Sequence, residues 1–211
     1  SVAGGLLFLA LILVYIRMNA NKKRIFSMVF LKVQMPKKES KDERERESES
    51  GKKDFKEAIG VMTQFFEAIY SIFENDVKYK FIGQDFLSFE YALIENLTTF
   101  YIVAPSWLVP MIEKQLTGFY QDVYIEQVED YNIFKPNSRI ASTYMVFTNK
   151  TFLPVRTYER MNIDPLNTIA NAFSKFDADE SGAIQIVVRP RKDGWQKKGR
   201  KFAEDIFAKK D

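Results

Sequence analysis

The stretch that most constrains this chain is Val2 to Ile16, VAGGLLFLALILVYI, which carries no charge and is almost wholly apolar. As a helix it spans roughly 22 Å at ~1.5 Å per residue. A bilayer's hydrocarbon core is ~30 Å thick and takes about 20 residues, so the run as it stands is a little short, a shortfall that residues upstream of Ser1 would remove. Two competing readings are a buried core helix and the apolar region of a signal peptide. A signal peptide carries its positive charge before the apolar run. Here Arg17, Lys22, Lys23, Arg24 and Lys32 follow it, with no acid until Glu39. That asymmetry favours a membrane anchor whose basic flank, and everything after Ile16, faces the cytoplasm. The chain opens on Ser1, not Met, and is expected to be a piece of something longer.

Several kinds of chemistry are excluded by what is missing. With Cys 0 and His 0, disulfide scaffolds, thiolate zinc sites, His triads and the usual near-neutral general base are out. There is no GxGxxG and no GxxxxGK[ST]; Gly51-Lys52-Lys53 lacks the leading Gly and the Ser/Thr that would hold Mg²⁺. We expect no cofactor, no metal and no catalysis from this chain. The balance of 31 Lys+Arg against 28 Asp+Glu gives no global nucleic-acid signature. With 46% hydrophobic and 15% aromatic residues, there is enough apolar material for a core.

After the anchor and its flank (1–24), the pattern predicts a first unit over 25–130. Ile25 to Met35 alternates and closes on Pro36, as a strand does. Lys37 to Lys53 (37–53) has no apolar residue and reads as a solvated insertion. Asp54 and Glu57 suggest a helix start, with Phe55, Ile59, Met62, Phe66, Ile69, Tyr70 and Phe73 as its apolar stripe. Phe86–Ile94 and Thr98–Ala104 read as a hairpin about Glu95-Asn96-Leu97. A helix from Trp107 to Tyr120 and a strand from Asp122 to Val128 follow. The order strand, helix, strand, strand, helix, strand predicts an α+β fold, a ferredoxin-like (split βαβ) domain.

A second, partly repeated α/β half is expected over 131–211. Strands are read at Ile140–Asn149 and Phe152–Arg156, and a helix after Asp164-Pro165 with Leu166, Ile169, Ala170 and Phe173 on its apolar face. A strand Ala183–Arg189, stopped by Pro190, leads to a basic amphipathic helix after Asp193, Gly194 to Lys209. Trp195, Phe202, Ile206 and Phe207 form that helix's apolar side, with Trp195 expected to clamp it onto the sheet. Lys197, Lys198, Arg200 and Lys201 form an outward surface for a partner or for nucleic acid. Asp177, Asp179, Ser181 and Gly182 imitate a calcium loop, but Val188 stands where a bidentate carboxylate is needed. That stretch is read as a helix-to-strand turn, with Gly182 supplying a positive φ. Glu126 and Glu129 are read as surface acids.

Four segments carry a family resemblance: MVFLKVQMPK at Met28–Lys37, DVYIEQVEDYNIFKP at Asp122–Pro136, DPLNTIANAFSKF at Asp164–Phe176 and IQIVVRPRKDGWQKKGRK at Ile184–Lys201. Together they resemble the membrane-anchored N-terminal domain of bacterial conjugative-transfer (type IV secretion) ATPase-like proteins. The resemblance implies a non-catalytic tethering and assembly role for a DNA- or protein-translocating motor at the bacterial cytoplasmic (inner) membrane. Its partners would be secretion-system or motor subunits or, as a homo-oligomer, further copies of the chain, and a motor domain would follow in a longer protein. The competing function is a membrane-tethered nucleic-acid-binding module that uses the C-terminal basic helix.

Overall fold

The computed structural model describes residues 2–35, 60, 62–120, 122–153, 155, 157, 160 and 165–208. The charged run 37–53 and the helix start at Asp54 lie outside the described residues. The first element, α1 (Val2–Phe26), does not stop where the apolar run stops. It continues for nearly three further turns through the basic flank, because Arg, Met, Asn, Ala and Lys offer nothing that breaks a helix. At 25 residues it is about 37 Å long, which removes the shortfall read from the apolar run alone. Strand β1 (Met28–Gln34) therefore starts three residues later than the alternation suggested. Only Ser27 separates it from α1.

A helix, α2, covers 62–70 among the described residues, and a one-turn helix, α3 (Lys78–Ile82), follows. The buried face of α2 is Phe65 and Ile69, continued by Ile72, at i, i+4 and i+7. Met62 and Ile69 of the expected stripe face the core, whereas Phe65, not Phe66, is the buried aromatic. Phe66 and Tyr70 lie toward solvent, although Phe66 still meets the Phe89 ring edge-on. Strands β2 (Leu87–Ile94) and β3 (Leu97–Pro105) form the expected hairpin. Its two-residue turn has Glu95 and Asn96 both at positive φ, 51° and 63°, the twist that matches right-handed strands. A 3₁₀ turn (Ser106–Leu108) leads into α4 (Val109–Phe119), whose second residue, Pro110, needs no N–H partner. Strand β4 (Tyr124–Val128), helix α5 (Pro165–Phe173), strand β5 (Gly182–Val188) and helix α6 (Gly194–Phe207) complete the chain.

All five strands belong to one antiparallel sheet of order β4-β1-β3-β2-β5. The protein is thus an α+β fold with an N-terminal apolar helix. One sheet face carries Val29, Leu31, Leu87, Phe89, Ile102 and Ala104, packed under Phe65, Ile69 and Ile72 and under Leu108, Ile112 and Leu116 of the 3₁₀–α4 segment. The other face carries Met28, Phe30, Ala92, Tyr101 and Val103, partly covered by Tyr131.

The later part of the chain departs from expectation in two places. β5 pairs with β2 and extends the first sheet. Residues 139–147 form neither helix nor strand, and Tyr144, Met145, Val146 and Phe147 are strongly exposed. Alternation is a local pattern and does not by itself supply a pairing partner; the place beside β2 is taken by β5. Residues 151–153 are turn; Pro154 and Arg156 of the second expected strand lie outside the described residues.

Candidate membrane-proximal site

The start of β1, the end of β3, the start of β2 and the end of β5 all lie at one end of the sheet, as their registers require. That is the end at which α1 arrives. Arg24, in the last turn of α1, is only 7% exposed. Its Nε donates to Asp85 Oδ1 at 2.6 Å and one terminal nitrogen to Asn21 Oδ1 at 2.7 Å. The other terminal nitrogen donates to the Gly83 carbonyl at 2.9 Å. Gly83 has φ 83°, a left-handed conformation that aims this carbonyl at the guanidinium and that a side chain would strain. Ser27 closes the joint: its carbonyl accepts from the Ser106 N–H at 3.2 Å, and its hydroxyl donates to the Arg24 carbonyl at 2.9 Å. Buried charges persist when they are paired and fully hydrogen-bonded. Arg24 meets that condition, so the apolar helix is joined to the sheet by a short, braced connection.

Beside the clamp stands Arg189, one residue past β5. The Leu87–Val188 pair ends the β2–β5 ladder, so Arg189 falls opposite Phe86, and its guanidinium carbon lies 5.2 Å from that ring's centre. Loss of surrounding water, and then repulsion from Arg24 and Arg17, holds the Arg189 guanidinium below its ordinary pKa, with Asp85 acting in the opposite sense. Arg17, Asn21 and Arg24 are spaced i, i+4 and i+7 along α1 and share a face. The joint therefore pairs Arg24 with Asp85 and sets Arg189 against Phe86, the residue next to that carboxylate. Aromatic side chains gather at the same end: Phe81 of α3, and Trp107 where β3 exits, which is 57% exposed. Sequence reasoning named neither Arg24 nor Asp85 as a site, since no local pattern links residues 61 positions apart. The one available signal was a basic flank following an apolar run.

The residues singled out from the sequence lie elsewhere or act differently. Lys197, Lys198, Arg200 and Lys201 are all exposed on α6. Trp195 is 42% exposed and lines a cleft of about 300 Å³ with Phe66, Ile69 and Tyr70. Asp193 precedes α6 but caps it only through its backbone carbonyl; its carboxyl accepts from the Tyr70 hydroxyl at 3.4 Å. Pro190 is buried just past β5. Gly182 does not have positive φ; among the described glycines Gly83 does. Gly182 is required for space: a Cβ there would stand 2.6 Å from Phe176 Cε2. Residues 174–181 join α5 to β5 as a turn, Glu180 reaching back to accept from the Asp177 N–H at 2.9 Å, while Val188 belongs to the sheet. Glu126 and Glu129 are exposed, Glu126 opposite Lys32 across the β1–β4 ladder.

The second sheet face holds a polar centre that the sequence did not reveal. Glu90, 3% exposed, accepts from the Tyr131 hydroxyl at 2.6 Å. Tyr131 stacks on Tyr101 at 4.9 Å and meets Phe30 edge-on. Burial, then the bond to Glu90, pushes the Tyr131 phenol far above its usual range, so its proton stays in place as the donor. Asp130 is also raised, by loss of water and then by Glu90. This arrangement pins the segment after β4 across the sheet. Among the described residues no group of three or more acids is placed to hold a metal ion.

Fold and joint together define a class: an α+β domain with a single antiparallel sheet among the described residues, carrying an apolar helix braced to one end of that sheet. Residues 49–209 match the family described as a domain of unknown function, DUF8128, and the chain belongs to that family. α1 and β1 precede the matched residues. No curated protein and no solved structure matches the chain.

Proposed function

We propose that this chain is a membrane-tethered, non-catalytic assembly domain, with α1 as a single-pass anchor and the sheet domain on the cytoplasmic side. The observation that carries the reading is α1 itself. Its apolar side chains from Leu6 to Ile16 are exposed, none of its most apolar stretch is buried against the domain, and it is long enough to cross a bilayer. The basic flank supports the sidedness. The segment order, with β4-β1-β3-β2 as the first four strands and helices in both crossings, supports a ferredoxin-like reading extended by β5. The motif resemblance supports a place in a type IV secretion or conjugative-transfer motor at the bacterial inner membrane.

The test uses the absence of native cysteine. Single Cys variants at Ala3 and Lys198, expressed in bacteria, are labelled with a membrane-impermeant maleimide before and after lysis. Membrane fractionation resistant to carbonate, with Lys198→Cys labelled only after lysis, is expected. Release by carbonate sinks the anchor, and labelling of Lys198→Cys in intact spheroplasts sinks the cytoplasmic assignment. A second reading, nucleic-acid binding, is favoured by the exposed basic row on α6 and the half-exposed Trp195. Steep salt dependence of DNA binding, lost on changing Lys197, Lys198, Arg200 and Lys201 to Gln, would select it.

A further inference from the structure

We propose that residues 139–147 add as a strand to the free edge of β4 in a second copy of this chain, linking copies head to tail. The inference deepens the assembly reading by naming one partner, and it does not depend on the membrane anchor. The segment has the composition of a strand: Ile140, Tyr144 and Val146 alternate with Ala141, Met145 and Phe147. It pairs with no strand among the described residues, and Met145 is 90% exposed. Both of its ends are fixed. Before it, Lys135 Nζ donates to the Asp179 carbonyl at 2.6 Å, and a turn follows in which the Ser138 N–H donates to the Lys135 carbonyl and Asn137 has φ 61°. After it, Lys150 lies 5.0 Å from the centre of the Phe202 ring of α6, and the Phe152 ring packs on Phe202 at 5.3 Å. Anchored ends around an exposed apolar middle present the segment to a partner.

The route of the chain decides which edge the segment can join. Past the end of β4, Tyr131 meets Phe30, Tyr101 and Glu90, which belong in turn to β1, β3 and β2. Lys135 then reaches Asp179, just ahead of β5. The chain has crossed the sheet, so the segment sets out from the β5 side, about 19 Å from its own β4 at ~4.8 Å per strand. β4 and β5 are the outer strands, each with one edge unpaired among the described residues. Charge separates the two edges. From Lys135 to Lys150 the chain carries Lys135, Arg139 and Lys150 and no acid. The stretch containing β4 carries Asp122, Glu126, Glu129 and Asp130 and no base. β5 runs instead into Arg189, Arg191 and Lys192. Backbone pairing supplies attraction along any free edge, and opposite charge selects β4. With donor and acceptor on opposite sides of the sheet the contact is heterologous, so successive copies build a ring or an open chain.

With no native cysteine, the full chain in detergent can be tested by cross-linking. Chains bearing Tyr144→Cys or Met145→Cys are each mixed with chains bearing Gln127→Cys and treated with a short bis-maleimide. Neighbouring residues on a strand point to opposite faces, so one of the two shares a face with Gln127. A linked pair is expected in that mixture and in none of the variants alone. Val187→Cys, exposed on β5, should stay unlinked to either. Met145→Pro/Val146→Pro, which removes a ladder donor whichever residue faces the edge, should weaken self-association in analytical ultracentrifugation by roughly tenfold. Its melting midpoint should match wild type. A lowered midpoint would mean that the segment is already paired within its own chain, and overturns the proposal. So does linkage to Val187→Cys as efficient as to Gln127→Cys, or linkage within one variant alone, which would make the contact symmetric. A chain that stays monomeric and unlinked overturns this inference and leaves other subunits as the partners of the assembly reading; release by carbonate sinks the tether and leaves this inference standing.

Discussion

Arg24 and Asp85 meet at 2.6 Å across 61 positions of sequence, joining the end of an apolar helix to the start of a central strand. Their side chains are 6% and 19% exposed, so the pair is largely shielded from water and salt. Asp85→Asn leaves a buried guanidinium without its counter-charge. We expect a loss of about 3 kcal/mol, measured by denaturant unfolding in detergent. Arg24→Met/Asp85→Leu should recover most of that loss, because an apolar pair carries no desolvation cost. A double variant as unstable as Asp85→Asn would mean that the carbonyl contacts, and not the ion pair, hold the joint.

Gly182 lies against the Phe176 ring, and Phe176 in turn meets Phe173 edge-on at 5.7 Å. Gly182→Ala should cost about 1–3 kcal/mol by overpacking, with no contribution from backbone strain. Adding Phe176→Leu should return much of it. If Gly182→Ala alone is neutral in a thermal melt, the ring moves aside freely and the glycine is not needed for space.

The Asp130 carboxyl has its pKa raised in the folded state, so folding takes up a proton in the window just above the ordinary carboxylate value. In that window the folded chain binds more protons than the unfolded chain, and stability falls as pH rises. Asp130→Asn should therefore be more stable than wild type at neutral pH, and its advantage should shrink below pH ~4. Parallel melts across pH check this; an advantage that grows on acidification would reverse the sign.

Ser88 has its hydroxyl buried on the Glu90 face with no hydrogen-bond partner among the described residues. Ser88→Ala removes the unmet group without opening a sizeable cavity. A gain of about 1 kcal/mol is expected in chemical denaturation. A loss of that size would show that the hydroxyl is bonded in solution.

Trp195 is too exposed to act as the full clamp that its sequence position suggests. Truncating a fully buried Trp costs ~3–5 kcal/mol, and at 42% exposure a loss nearer ~1 kcal/mol is expected for Trp195→Ala. The combined Gln substitution at Lys197, Lys198, Arg200 and Lys201 should leave the melting midpoint almost unchanged, since exposed charges add little. A large drop in either case would mean that α6 is docked more tightly than the cleft beside Tyr70 implies.

What the sequence determined by itself is what acts over a few residues. The apolar run before a basic flank, the β2–β3 hairpin about Asn96, Pro110 inside the first turn of α4, and the helix after Asp164-Pro165 all follow from local hydropathy and backbone preference. The alternation of β1, β2, β3 and β4 was legible for the same reason. The tertiary structure decided whatever depends on partners far along the chain. It turned Phe65 inward in place of Phe66, and paired β5 with β2 while residues 139–147 formed no strand. It also brought Arg24 to Asp85 and Arg189 to Phe86, and set Tyr131 over Glu90. Side-chain burial and long-range pairing depend on which surfaces meet once the chain closes on itself, and periodicity within one segment does not specify its neighbour across the sheet.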